Sequence, residues 1–413
     1  MNPRAAFWED KEKPIRELGV AAGVLALFVV YLLVERVFLH KSLQSVPLRI
    51  CVTGTRGKSS VTRLIAAALR DSGMSVLSRT TGAKPVLLLP DGGEEEIVRR
   101  GIPTILEGKK LLRMATKLAV NAVVVELMGF HPETIHVEST QIFKAHILVL
   151  TNVRFDHLAQ MGHTKDTIAS TFAGAIPRGS TVFIHQDQNY SAFQKAAEAM
   201  NAKILWVKGR ALTESKDEKD GCLSSEFDEN IRLSLAVVEF LGKDTRIAFK
   251  AMSRMRPDFG SLKVWTDLKN PPLLGWYFVS GFAANEPEST QLILSKLRTQ
   301  RLLEGKKIIA LLNLRGDRGD RTLQWLDAIK GGIFPGIQRF VLVGDHTLAM
   351  RRRLKKCADI ETYAWPGSQP EEVLVRLSII EKEETVVIGM GNMGGAGERF
   401  VDYWEKTGQR YDL

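Results

Sequence analysis

The hydrophobic pattern of this chain changes character twice. From Leu18 to Val34 the run LGVAAGVLALFVVYLLV is uncharged throughout, between Glu17 and Glu35-Arg36. A helix that is apolar on every face offers water no side, and seventeen residues sit at the short edge of a bilayer span. The run therefore reads as a single-pass anchor. A core helix is the competing reading, and no small-x-small site follows to suggest a cleaved signal peptide. Lys41 to Pro47 reads as a short polar linker. Beyond it the apolar runs become short, continuous and β-branched: Leu48 to Val52, Ser75 to Leu77, Asn121 to Val125, His146 to Leu150, Thr181 to Ile184 and Ala202 to Val207. Such runs are expected of buried parallel strands. Ser60 to Asp71, stopped by Gly73, and Asn230 to Leu241, stopped by Gly242, read as helices. A second block repeats the strand pattern near Lys307 to Leu312, Phe340 to Val343 and Glu384 to Ile388. The prediction is an α/β protein: anchor and linker over 1–47, a central domain with a mostly parallel sheet over 48–257, and a smaller α/β domain over 258–413.

Composition narrows the function classes. With 413 residues, 45% of them hydrophobic, the chain can build two or three cores. A net charge of +10 suits nucleic acid, an anionic membrane surface or anionic substrates. The densest basic cluster, Arg351-Arg352-Arg353 with Lys355-Lys356, has no interleaved aromatics on which bases could stack, so it reads as a solvated helix face and nucleic acid is not expected as a partner. Cys51, Cys222 and Cys357 are few, dispersed and without metal-ligand spacing, which places the folded domains in a reducing compartment. Glu94-Glu95-Glu96 and Glu214 to Asp220 read as charged surface segments. Basic residues flank the apolar run on both sides, so charge leaves its orientation open. A nucleotide site requires the cytoplasmic side.

That site is the strongest chemical signal. Ile50-Cys51-Val52-Thr53-Gly54-Thr55-Arg56-Gly57-Lys58-Ser59-Ser60 runs from strand through glycine-rich turn into helix. Glycines let successive N–H groups and a helix N-terminus close around phosphate oxygens. Lys58 would reach the β- and γ-phosphates of ATP, and the Ser59 hydroxyl would take a Mg²⁺ position. Gly54 falls two residues later than the first glycine of the common G-x-x-x-x-G-K-[ST] loop, where Val52 stands instead. Glu126 ends a strand, and His157 follows Thr151-Asn152-Val153-Arg154-Phe155-Asp156 after the next one. Ligands of open α/β sheets collect at such strand ends, where a carboxylate can hold a metal or a water.

Taken together, Gly54-Thr-Arg-Gly-Lys-Ser-Ser60, Glu126 and Thr151-Asn152 with Asp156-His157-Leu158 resemble the central domain of the Mur ligase and folylpolyglutamate synthase superfamily. The resemblance implies that Gly54, Thr55, Arg56, Gly57, Lys58, Ser59 and Ser60 hold ATP. It also implies that Ser59, Glu126 and His157 bind Mg²⁺ and that Asn230 lies on the adenine side. The family's carbamylated lysine position falls on Phe172, which puts a second metal site in question. Gly281-Phe-Ala-Ala-Asn285, Asn313-Leu-Arg315-Gly-Asp-Arg318-Gly-Asp-Arg321-Thr322 and Gly389-Met-Gly391-Asn392 resemble the ATP-dependent ligase branch that makes poly-γ-glutamate. In that branch Arg315 and Arg321 would contact the nucleotide, Asn152, Asn285 and Arg318 the substrate, and Lys58, Glu126, His157 and Arg318 the reacting groups.

The implied reaction is amide formation. A glutamate γ-carboxylate attacks the γ-phosphate of ATP, and a glutamate amine displaces phosphate from the resulting acyl phosphate. Glutamate, the growing polymer and ATP are all anionic, in keeping with the basic charge. The resemblance further implies integral-membrane partner subunits, and a homo-oligomer is compatible with it. Two alternatives stand beside it: a ligase for another acid, and a membrane-anchored regulatory ATPase.

Overall fold

A computed structural model describes residues 3–82, 84–99, 101, 103–129, 131–156, 158–208, 222–356 and 360–413. The charged segment Glu214 to Asp220 thus lies outside the described residues. The chain opens with helix α1 (Pro3–Ser45), whose apolar stretch from Leu18 to Val34 is exposed throughout. Its part Glu17–Ser45 is long and apolar enough to cross a membrane. The expected polar linker is mostly helix instead. α1 continues through Ser45 because its last turn is buried and tied down. Leu43 and Val46 enter the main core. Arg49 donates from Nη1 to the carbonyls of Leu43 (2.8 Å) and Val46 (2.7 Å), and from Nε to that of Phe143 (2.8 Å). One guanidinium thus satisfies carbonyls at the helix end that would otherwise lack partners.

The first sheet contains β1 (Leu48–Thr53), β2 (Val76–Thr80), β3 (Val86–Leu88), β4 (Glu94–Glu96), β5 (Ala122–Glu126), β6 (Ile147–Leu150), β7 (Thr181–His185) and β8 (Lys203–Val207), in the order β4-β3-β2-β5-β1-β6-β7-β8. Six strands are parallel, while β3 and β4 add antiparallel at one edge. Glu94 to Glu96, expected as a charged surface segment, is that edge strand, a place where charge is tolerated and blocks further pairing. Helices α2 (Lys58–Asp71) and α3 (Glu107–Lys117) follow β1 and β4 in the chain. α3 packs on α1, with Lys109 Nζ 2.9 Å from Glu35. Helices Asp228–Phe240 and Thr245–Arg254 pack on α2.

The second sheet contains β9 (Lys263–Lys269), β10 (Pro272–Ser280), β11 (Lys307–Leu314), β12 (Arg339–Gly344), β13 (Glu361–Ala364), β14 (Thr385–Gly391) and β15 (Gln409–Tyr411). Its order is β13-β12-β11-β14-β10-β9-β15, parallel through β10, with β9 and β15 antiparallel at the other edge. Mostly aliphatic side chains, with Trp325, Phe334 and Phe340 among them, fill one face, and Trp265, Phe278, Phe282, Phe400 and Trp404 dominate the other. The basic cluster lies on and just beyond helix Thr347–Lys355, with Arg352, Arg353, Lys355 and Lys356 exposed.

Candidate active site

β1 lies between β5 and β6 at the middle of its sheet, and the loops leaving the carboxyl ends of these three strands meet. The loop after β1 requires its glycines. Gly54 has φ 125°, and a Cβ there would lie 2.2 Å from Thr151 Oγ1; Gly57 has φ 81°, and a Cβ there would lie 2.4 Å from Asn230 Oδ1. Both backbone conformation and space exclude a side chain. α2 begins at Lys58 without a side-chain cap, leaving its first N–H groups for a ligand. Lys58 Nζ donates to the carbonyls of Gly54 (2.8 Å) and Thr55 (3.1 Å), and burial lowers its pKa against the opposing pull of Glu126.

Glu126 stands at the end of β5. Its Oε2 accepts from Ser59 Oγ (2.7 Å) and from the Thr81 N–H (2.7 Å). Beneath it lies a buried ion pair that sequence reasoning did not reach. Arg79 Nη2 donates to Glu138 Oε1 (2.6 Å) and to the Glu126 carbonyl (3.0 Å), and Glu138 Oε2 accepts from the N–H groups of Met128 (2.8 Å) and Gly129 (3.3 Å). The pair fixes the backbone from Glu126 to Gly129, just beyond the Glu126 side chain. His157 lies outside the described residues. Among the described residues no group of three or more His, Cys, Asp or Glu is arranged to hold a metal. Phe172 is buried in helix Lys165–Ala173 and belongs to the core.

Asn152 sits under the phosphate loop. Its Oδ1 accepts from the Arg56 N–H (3.0 Å), and its Nδ2 donates to the Arg56 carbonyl (3.1 Å), so the described contacts shape the loop. Asn230 backs Gly57 and donates to Glu226 Oε1 (2.7 Å). It lines a small cavity of about 120 Å³ together with Phe227, Leu262, Ala284 and Ile293.

The second sheet delivers its own strand-end loops to the same place. A pocket of about 520 Å³ is bounded by Gly54 to Ser60, Glu126 and Asp258 on one side, and by Asn285, Arg315, Arg318, Arg321 and Asn392 on the other. The two sides are clasped together. Arg321 donates to Asp156 Oδ1 (2.6 Å) and Asn392 Oδ1 (2.9 Å). Arg56 lies 3.1 Å from Asp156 Oδ2 and 3.7 Å from Glu286 Oε1. With its amide oriented to donate to the carbonyls of Phe282 and Gly391, Asn285 accepts from Arg56 Nη1 at 3.1 Å. Arg315 forms a two-pronged pair with Asp317 (2.9 and 2.8 Å), while Arg318 Nε is 3.9 Å from the same carboxylate. Arg154 lies inside the quoted Thr151–Asp156 segment and Glu286 directly after Gly281–Asn285, but nothing in the sequence assigns them, or Asp258, a partner across the pocket. Burial raises the pKa of both carboxyls, opposed at Asp258 by Arg63 and at Glu286 by Arg56.

Comparison with known proteins places this architecture. Residues 52–243 match the Mur ligase middle domain, and residues 270–407 match the poly-gamma-glutamate synthase CapB C-terminal domain. The chain is 29% identical to capsule biosynthesis protein CapB of Bacillus anthracis over 92% of its length and 81% of that protein's. It is also 29% identical to PGA synthase CapB of Bacillus subtilis, covering 91% of this chain and 95% of that one. The fold is similar to that of E. coli FolC in complex with DHPP and ADP, with TM-score 0.65 and 14% identity over 90% of this chain and 91% of FolC. A phosphate loop and a cationic C-terminal wall share one pocket, and both halves match in order; the chain has the Mur-ligase superfamily fold and is an ATP-using ligase.

Proposed function

We propose that this ligase joins glutamate residues through their γ-carboxylates, extending poly-γ-glutamate from the cytoplasmic face of a membrane that α1 crosses once. The observation that carries the reading is the shared pocket, in which Lys58 and the N-terminus of α2 face Arg315 and Arg318 across about 520 Å³. Carboxylates acylate amines poorly, and phosphorylation supplies a leaving group. The transferring phosphoryl gathers negative charge, which fixed cations stabilise without reorganising. Lys58 meets that need from the loop side. Arg318, whose Nε has no hydrogen-bond partner among the described residues, meets it from the other and can orient an incoming carboxylate. The cavity beside Asn230 is placed to take the base of ATP. The names of the two CapB relatives support the polymer as product.

Ser59 and Glu126 fit a magnesium site, with His157 the third group implied by the family. A Cβ on Gly82 would lie 2.7 Å from Ser59 Oγ, so the glycine keeps the space beside that hydroxyl open. The ion, when bound, offsets phosphate charge. The chain's own part is to hold Ser59 against Glu126 and to hold Glu126 through Arg79 and Thr81.

Trapping with hydroxylamine tests the reading. Purified full-length protein with ATP, Mg²⁺ and hydroxylamine should yield a glutamyl hydroxamate and matching ADP from γ-glutamyl oligomers. A hydroxamate formed only from a muropeptide or folate acid would reassign the substrate, and ADP release indifferent to every acid would favour a regulatory ATPase.

A further inference from the structure

Glu286 occupies an unusual place for a carboxylate. It precedes helix Pro287–Thr299, only 1% of its surface is exposed, and its Oε2 has no hydrogen-bond partner among the described residues. Its Oε1 accepts from Ser289, whose hydroxyl also accepts from Arg154 Nη1 (3.0 Å). Two cations act on it: Arg154, through Ser289, and Arg56, within the phosphate loop of the other domain, 3.7 Å away. Arg56 is itself held at the backbone by Asn152 and at the side chain by Asp156 and Asn285. Its Nε and Nη2 are buried without a hydrogen-bond partner among the described residues. A guanidinium surrounded by carboxylates at ion-pair distance, yet short of hydrogen bonds, is aimed more than it is satisfied.

We infer that Glu286 is a positioning residue: it holds the Arg56 guanidinium over the phosphate loop so that Arg56 recognises the γ-phosphate when the C-terminal domain is docked. Three observations support this. The Glu286 carboxylate is too buried to serve as a solvent-facing surface charge. It reaches across the domain boundary to a loop residue in the pocket wall. Arg56 could also meet Asn285 and Asp156 alone, but both lie at its Nη atoms, and among the described residues Glu286 is the group that faces its Nε. A planar guanidinium held from two sides cannot swing, and a pre-aimed cation loses less freedom when phosphate arrives.

The inference rests on the nucleotide reading, and the test separates the two. Calorimetry would measure ADP and a non-hydrolysable ATP analogue binding to the full-length wild type, Glu286→Gln, Arg56→Ala and the double variant. Glu286→Gln keeps the shape and the Ser289 contact while removing the charge. The expected result is a loss of about tenfold in preference for the triphosphate, with ADP affinity within about twofold of wild type. The double variant should be no worse than Arg56→Ala, because Glu286 acts through that residue. Equal losses for both nucleotides, an unchanged preference, or additive losses in the double variant would overturn the positioning role. If Glu286→Gln unfolds, Glu286→Asp in the same cycle replaces it, with a weakened triphosphate preference expected and an unchanged one overturning the role. Failure of the wild type to bind either nucleotide would instead overturn the nucleotide reading, and this inference with it.

Discussion

Replacing Glu138 with Gln isolates the buried ion pair under the site. Glu138 is fully buried and Arg79 only 1% exposed, with 2.6 Å between Nη2 and Oε1. The substitution preserves volume and leaves a carbonyl for the Met128 and Gly129 N–H groups, but it strands the Arg79 charge in the core. Removing one partner of a buried pair costs about 3–5 kcal/mol, because the remaining ion keeps its desolvation penalty. The stacking of Arg79 over Phe143, at 5.8 Å, and its bond to the Glu126 carbonyl offset part of this, so the lower end, about 3 kcal/mol, is expected. For a unit of this size each kcal/mol moves the midpoint by about 2–4 °C, giving a fall of about 6–12 °C in a thermal melt followed by circular dichroism in detergent. Arg79→Met combined with Glu138→Gln should recover much of the loss, since the stranded charge is gone. A shift under about 2 °C for Glu138→Gln alone would refute the reasoning, which rests on the penalty for an unpaired buried charge.

Lys58→Ala should lower ATP turnover by about 10²–10³-fold while leaving the melting temperature unchanged or slightly raised, because burial already penalises that ammonium; ADP release and a thermal melt check both halves. Asn152→Ala removes both side-chain bonds to the Arg56 backbone and should cost about 1–3 kcal/mol in stability as well as turnover, with full activity contradicting the loop-shaping role. His146 lies 2.9 Å from Arg49, and burial together with that cation lowers its pKa below the ordinary 6.5. The folded chain therefore favours the neutral ring: its contribution is complete above pH 6.5 and declines as pH falls through the lowered value, where the unfolded chain binds the proton more readily. Melting temperatures between about pH 7.5 and 5 should fall more steeply for wild type than for His146→Gln.

Much of the central sheet is visible in the sequence because its strands are buried on both faces, so Asn121 to Val125 and His146 to Leu150 read as unbroken apolar runs. The phosphate loop is visible for a similar reason, since glycines at positive φ between strand and helix serve few purposes. Long-range pairings are not visible in this way. Arg79 and Glu138 meet across 59 residues, and Arg321 and Asp156 across 165. Nothing local distinguishes these side chains from solvated charges. Glu94 to Glu96 lies at the surface as its charge suggests, but composition does not show that it forms the edge strand β4, whose backbone pairing outweighs its poor strand propensity. Lys41 to Ser45 misleads by polarity; the carbonyls that hold it as helix are bonded by Arg49, which comes later in the chain.

The central claim, that a carboxylate is activated by phosphorylation before the amide forms, is tested most directly by isotope transfer. γ-Glutamyl oligomers carrying ¹⁸O in the reacting carboxylate would be incubated with ATP, glutamate and the full-length protein, and the released phosphate analysed by mass spectrometry. The account predicts one ¹⁸O in phosphate for each amide formed. Amide formation with unlabelled phosphate would contradict it.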